Sequence, residues 1–144
     1  MYITRVTQVS DELVEAFERL IPQLTGRQPP SRDELAAMID SPCVLLIARH
    51  PDPDSRIVGS GTLAVFRTPT GGHAHIEDVI VDQAARRSGI GRALVSQLLV
   101  IADGLGLEGV SLTCNPARGP ANELYEKMGF TRWETNVYWY GLGN

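Results

Sequence analysis

VIVDQAARRSGIGRALVSQLL, residues 79–99, passes from an apolar run through a charged, glycine-bearing loop into helical spacing. Val79, Ile80 and Val81 read as the end of a buried strand that stops at Asp82, and the loop carries Arg86, Arg87, Ser88, Gly89 and Gly91. Ile90, Leu94, Leu98, Ala102 and Leu105 then recur at helical intervals, so a helix is expected over 89–105. A strand feeding a helix through glycines suits an anion: glycine permits close backbone approach, and the first helical N–H groups lack internal acceptors. Arg86 and Arg87 add cationic donors. The same residues also fit a plain helix start, with glycine there only for the turn and the arginines in solvent. A phosphate loop of the GK[ST] type is excluded because that ending is missing, and Gly89 and Gly91 lack the third glycine of a dinucleotide site. Gly104, Gly106 and Gly109 do spell GxGxxG, but they follow a helix and precede a strand, the reverse of the required context, and read as a helix stop.

Upstream, Tyr2–Thr7 reads as a strand. A helix follows from Ser10, Asp11 and Glu12 through Leu13, Phe17, Leu20 and Leu24. Ser31 and Glu34 form a capping box for a short helix bearing Leu35, Met38 and Ile39. Residues 43–50, 56–66 and 73–81 read as three strands with antiparallel neighbours. Downstream, strands are expected at 110–113 and 132–140 and a helix at 121–128, giving the order βααβββαβαβ. The crossover through 89–109 makes its two strands parallel in an otherwise antiparallel sheet, so the fold class is α/β with a mixed, mostly antiparallel sheet flanked by helices.

A chain of 144 residues with 43% hydrophobic content suits one continuous core. The net charge of −4 argues against a nucleic-acid backbone or an anionic membrane as partner. The N-terminal MYITRVTQVS has no apolar run of a signal peptide, so a cytoplasmic location is expected. Cys43 and Cys114, in apolar runs without CxxC spacing or a companion histidine, are expected to be buried thiols, and no metal site is expected.

Two further segments carry polar chemistry. In HAHIEDVIV, residues 73–81, Glu77 and Asp78 interrupt a strand suited to burial, and alternation sets them on opposite faces, with His73 and His75 on the Glu77 side. Glu77 suits a base in a cleft or a surface partner of an arginine; the histidines suit substrate contact or solvation beside Gly71 and Gly72. In NPARGPANELYEKMGF, residues 115–130, Asn122 and Tyr125 lie one helical turn apart, and Tyr125 suits a proton donor or a core ring with its hydroxyl at the rim.

Taken together, RRSGIG, with Arg86, Gly89 and Gly91 in an R-x-x-G-x-G/A pattern, and ANELYEKMGF resemble the two signatures of the GNAT N-acetyltransferase superfamily. The resemblance covers nearly the whole chain and implies one N-acetyltransferase domain over 1–144, splayed at its cofactor site. It implies acetyl-coenzyme A as co-substrate and a primary amine, on a small molecule or peptide, as acceptor. By position, Val79, Ile80 and Val81 would meet the pantetheine arm, with the Val79 N–H on the thioester carbonyl. Arg86, Arg87, Ser88, Gly89, Ile90, Gly91 and Arg92 would hold the pyrophosphate. Asn122 would contact the cofactor, Tyr125 would protonate the departing sulfur, and Glu77 would take the amine proton directly or through water. HIED is similar to the strand of glucosamine-phosphate acetyltransferases. Arg118 stands where the family often has Asn, so that contact is not carried over. A rival reading keeps the cofactor site in a sensor or partner-binding module without turnover. Trp139 and Tyr140 in the last expected strand suggest a homodimer through that strand.

Overall fold

The computed structural model describes all residues, 1–144, and divides them into two compact units, 1–112 and 113–144. The first contains β1 (Tyr2–Arg5), α1 (Asp11–Leu20), a 3-10 turn (Ile21–Gln23), α2 (Arg32–Ile39), β2 (Val44–Arg49), β3 (Ile57–Thr68), β4 (Gly71–Val81), a second 3-10 turn (Gln83–Ala85) and α3 (Ile90–Gly104). Both N-terminal helices start where their caps require. Ser10 Oγ accepts from the Leu13 N–H, and Ser31 and Glu34 close the expected capping box. No helix is long and apolar enough to cross a membrane.

The four strands pair antiparallel in the order β1-β2-β3-β4. One face carries the core of Leu13, Phe17, Leu20 and Leu35 from the helices against Leu45, Ile47, Ile57 and Ile80. Burying each of these large side chains stabilises the fold by about 1.5–3 kcal/mol before conformational entropy is subtracted. The other face carries α3. Gly59 and Gly61 let it approach, because a Cβ on Gly59 would lie 3.0 Å from Ile90 Cγ2, and one on Gly61 would lie 3.3 Å from Leu98 Cδ1.

β4 is not a regular strand. Thr62 pairs with Glu77 and Ser60 with Ile80, so Gly61 alone opposes Asp78 and Val79. Asp78 has φ 50°, left-handed for a residue with a side chain, as expected of a bulge. The alternation expected to separate Glu77 from Asp78 is therefore interrupted. The bulge keeps Ile80 on the α1 face, while Val79 lies beside Gly61 toward α3.

The outer edge of β4 meets its parallel neighbour only briefly. The Ile76 N–H donates to the Ser111 carbonyl at 2.9 Å and the Ser111 N–H to the Ala74 carbonyl at 3.1 Å, a single bridge rather than the expected 110–113 strand. The β3–β4 bulge lies two residues further along β4, and no bridge to β4 follows that of Ser111.

The second unit contains α4 (Gly119–Lys127) and no strand. The strand expected at 132–140 does not form. Its aromatic residues are adjacent rather than alternating, and no other strand in this unit offers the ladder that a strand needs. Trp133, Tyr138, Trp139 and Tyr140 are exposed, between 78% and 87%. Cys43 and Cys114 are each partly exposed rather than buried, Cys114 because no residue of its unit is buried.

Candidate acyl-transfer site

The open edge of β4 offers backbone donors. The Asp82 N–H donates inward to the Val58 carbonyl at 2.8 Å. Peptide groups alternate along a strand, so the Ile80 N–H also points toward β3, and those of Val79 and Val81 point out of the sheet. No backbone acceptor outside the sheet meets either of them. The Val81 carbonyl on the same edge accepts from Arg86 Nε at 3.2 Å, which folds the Arg86 side chain back along the strand end.

The loop beyond β4 is shaped residue by residue. Asp82 caps the 3-10 turn, its Oδ1 accepting from the Ala84 N–H at 3.1 Å, and Ser88 Oγ donates to the Ala85 carbonyl. Arg86 is extended, Arg87 has φ 67° and Gly89 has φ 77°. Gly89 caps α3 with no side-chain acceptor, so the Ile90, Gly91 and Arg92 N–H groups at the positive end of the helix have no intrahelical partner. Arg86, Arg87, Ser88 and Gly89 are exposed. Two left-handed residues beside a free helix start leave exposed backbone donors of a kind that suits an anion.

Glu77 lies in the cross-strand row Leu45, Thr62, Glu77, on the face of the sheet that carries α1 and α2. It is exposed and makes no ion pair, so the surface-pair reading of this residue has no partner here. His73 and His75 share that face, both against Phe66, with ring centroids 5.4 and 5.3 Å away. His73 Nε2 lies 2.7 Å from Thr68 Oγ1 and 3.1 Å from Thr70 Oγ1, and His75 Nδ1 meets Ser111 Oγ. No group of three or more His, Cys, Asp and Glu side chains is arranged to hold a metal ion.

In the second unit, α4 presents Asn122 and Tyr125. Asn122 Nδ2 donates to the Asn115 carbonyl at 2.9 Å and the Arg118 carbonyl at 2.8 Å, so its amide protons brace the preceding loop and its oxygen remains available. Tyr125 packs edge-on against Phe130 at 5.6 Å, and the Phe130 N–H closes the helix end on the Tyr125 carbonyl at 3.0 Å, with Gly129 at φ 100° permitting the turn. Burial of Tyr125, with a smaller electrostatic contribution from the neighbouring Cys114, raises its hydroxyl above the usual phenol range despite the opposing Arg118 charge. It is therefore protonated at neutral pH, as a proton donor must be.

Sequence reading did not find one part of the first unit. Arg19 Nη1 donates to Asp82 Oδ2 at 2.6 Å, and Gln23 Oε1 accepts from the Gln83 N–H at 2.8 Å. The only signal was a basic residue within the buried stripe of α1, between Phe17 and Leu20.

Residues 7–130 match the family model described as the acetyltransferase (GNAT) family, which reaches into both units. A glucosamine 6-phosphate N-acetyltransferase of Trypanosoma brucei brucei is 36% identical over 140 residues, covering 92% of this chain and 91% of that protein. A probable glucosamine 6-phosphate N-acetyltransferase of Oryza sativa is 38% identical over 100 residues, 67% of this chain and 58% of that protein. Among solved structures, a Trypanosoma brucei acetyltransferase superposes with a TM-score of 0.75 at 31% identity, covering 96% of this chain and 98% of that one. An aminoglycoside acetyltransferase from a soil metagenome reaches a TM-score of 0.79 at 22% identity, covering 99% and 96%, a likeness of fold alone. With its family model matched over residues 7–130 and a relative 36% identical over 92% of its length, the chain belongs to the GNAT family of acetyltransferases.

Proposed function

We propose that this protein moves an acetyl group from acetyl-coenzyme A to the primary amine of an amino-sugar phosphate by direct attack. The observation that carries the cofactor half is the junction of β4 and α3: outward N–H groups at Val79 and Val81, then left-handed Gly89 and three unpartnered helical N–H groups. These fit, in order along the chain, an amide-bearing arm and a pyrophosphate. The acceptor class is supported by the likeness of HIED, residues 75–78, to the corresponding strand of glucosamine-phosphate enzymes, and by the two relatives of that activity.

When bound, acetyl-coenzyme A supplies a thioester carbonyl and a thiolate leaving group. The Val79 N–H donates to the carbonyl oxygen as the new C–N bond forms and the C–S bond breaks. Glu77 accepts the amine proton, directly or through water. An aliphatic amine with a pKa of about 10.4 is mostly protonated at pH 7, a handicap of about 4–5 kcal/mol that such a group offsets. Tyr125 gives its hydroxyl proton to the sulfur, a role supported by its place in the second signature.

Calorimetric titration with acetyl-coenzyme A, with an Arg86→Ala, Gly89→Ala double variant as control, tests the first half. Micromolar binding that the variant loses is expected; no binding by the folded wild-type protein would sink the proposal. Release of free thiol with glucosamine 6-phosphate, against glucosamine and spermidine, then tests the acceptor. Equal turnover of all three would remove the amino-sugar phosphate.

A further inference from the structure

We infer that Arg19, through Asp82 and seconded by Gln23, is a positioning residue that sets the shape of the 82–89 loop and so governs cofactor affinity from outside the cofactor site. The inference rests on reading that loop as the pyrophosphate cradle.

Asp82 stands at the end of β4 and is 4% exposed, and every polar group it carries is committed. Its N–H goes to the Val58 carbonyl at 2.8 Å, and its carbonyl accepts from the Ala85 N–H at 2.8 Å. Its Oδ1 takes the Ala84 N–H at 3.1 Å, and its Oδ2 takes Arg19 Nη1 at 2.6 Å and Arg56 Nη2 at 3.4 Å. A carboxylate this deep needs a partner, and the short bond comes from Arg19, since Arg56 is longer and its side chain is 60% exposed. Arg19 is itself held in place, because Nη2 donates to the Ile57 carbonyl at 2.8 Å. That fork spans the end of β4 and the start of β3, a geometry that a lysine cannot copy.

Gln23 lies one turn beyond Arg19. Its Nε2 donates to the Arg19 carbonyl at 3.2 Å and its Oε1 accepts from the Gln83 N–H. The amides of Gln83, Ala84, Ala85 and Arg86 are thus all bonded, the first to Gln23, the next two to Asp82 and the last to the Gln83 carbonyl. Arg86 begins the stretch that carries the left-handed Arg87 and Gly89, so a loop cut loose at Asp82 would present its cations and free N–H groups in many arrangements. Binding would then have to order them, which lowers affinity without touching an atom that meets the cofactor.

The test compares wild-type protein, Arg19→Met and Arg19→Lys by acetyl-coenzyme A calorimetry, steady-state kinetics and native-state hydrogen exchange without ligand. For Arg19→Met we expect the Kd and KM for acetyl-coenzyme A to rise tenfold or more, with kcat at saturation within about threefold of wild type. The Gln83–Arg86 amides should exchange at least tenfold faster while those of Leu94–Leu98 change less than twofold. Arg19→Lys, which keeps the charge and loses the fork, should fall between and serves as the folded variant if Arg19→Met is unstable. Unchanged loop exchange, equal acceleration in loop and α3, or a Kd within twofold of wild type would overturn the inference while leaving the acetyl-transfer proposal standing. A wild-type protein that fails to bind acetyl-coenzyme A would overturn that proposal instead, and the exchange data would still decide whether Arg19 holds the loop.

Discussion

The two glycines of the loop should respond to the same substitution with opposite signs. Gly89 has φ 77°, and a Cβ there would meet nothing within 4 Å, so Gly89→Ala costs only its backbone conformation. Gly91 is the second residue of α3 with no positive φ, and its Cβ would lie 3.6 Å from Val81 Cγ2, an ordinary contact. Either alanine restricts the unfolded chain, which stabilises the fold by roughly 0.4–1 kcal/mol. That gain is common to both variants and cancels when they are compared. The remaining difference is the left-handed penalty at residue 89, about 1–2 kcal/mol. Gly91→Ala should therefore raise the urea midpoint and Gly89→Ala should lower it, with the two free energies of unfolding about 1–2 kcal/mol apart and equal m-values. Acetyl-coenzyme A binding should weaken in Gly89→Ala, whose loop relaxes away from the left-handed turn. Equal stabilities for the two variants would refute the reasoning, since no steric term is left to compensate.

Replacing Tyr125 by Phe should lower kcat roughly 10²- to 10⁴-fold with little change in cofactor affinity, and unchanged turnover would remove it as the acid. The pH profile of Glu77→Gln should lose the limb that reports the base; an unaltered profile would assign proton removal to water. Burial pushes the Asp82 carboxyl up, but the Ala84 N–H and the Arg19 and Arg56 charges outweigh it and leave the pKa lowered. A lowered folded pKa contributes stability above the unfolded value of about 3.9 and loses it as pH falls through the folded one. The stability gap between wild type and Asp82→Asn, measured by urea titration, should thus narrow with acidification below about pH 4; a gap that widens would contradict this. Association of two copies through the exposed Trp139 and Tyr140 is our remaining proposal: sedimentation should show a dimer that Trp139→Ser, Tyr140→Ser abolishes, and a monomeric wild type would discard it.

Features that depend only on near neighbours are legible in the chain itself. Helical spacing in α1 and α3, the Ser10 cap, the Ser31–Glu34 box and the glycine-bearing junction at 86–91 are each written within one or two turns of chain. Two local motifs also carried the resemblance to the family, and it is that resemblance which implies the roles proposed for Val79, Glu77 and Tyr125. Features that depend on a distant partner were settled by tertiary contacts. Whether 110–113 and 132–140 became strands turned on having a neighbour in register: the first keeps one bridge, at Ser111, and the second unit offered no strand to the second. The bulge at Asp78 decided which side chains of β4 face α1, which alternation could not foresee. The bond from Arg19 to Asp82 joins residues 63 positions apart. No local pattern encodes such a pairing, because a buried carboxylate takes its partner from whatever element the fold packs against it.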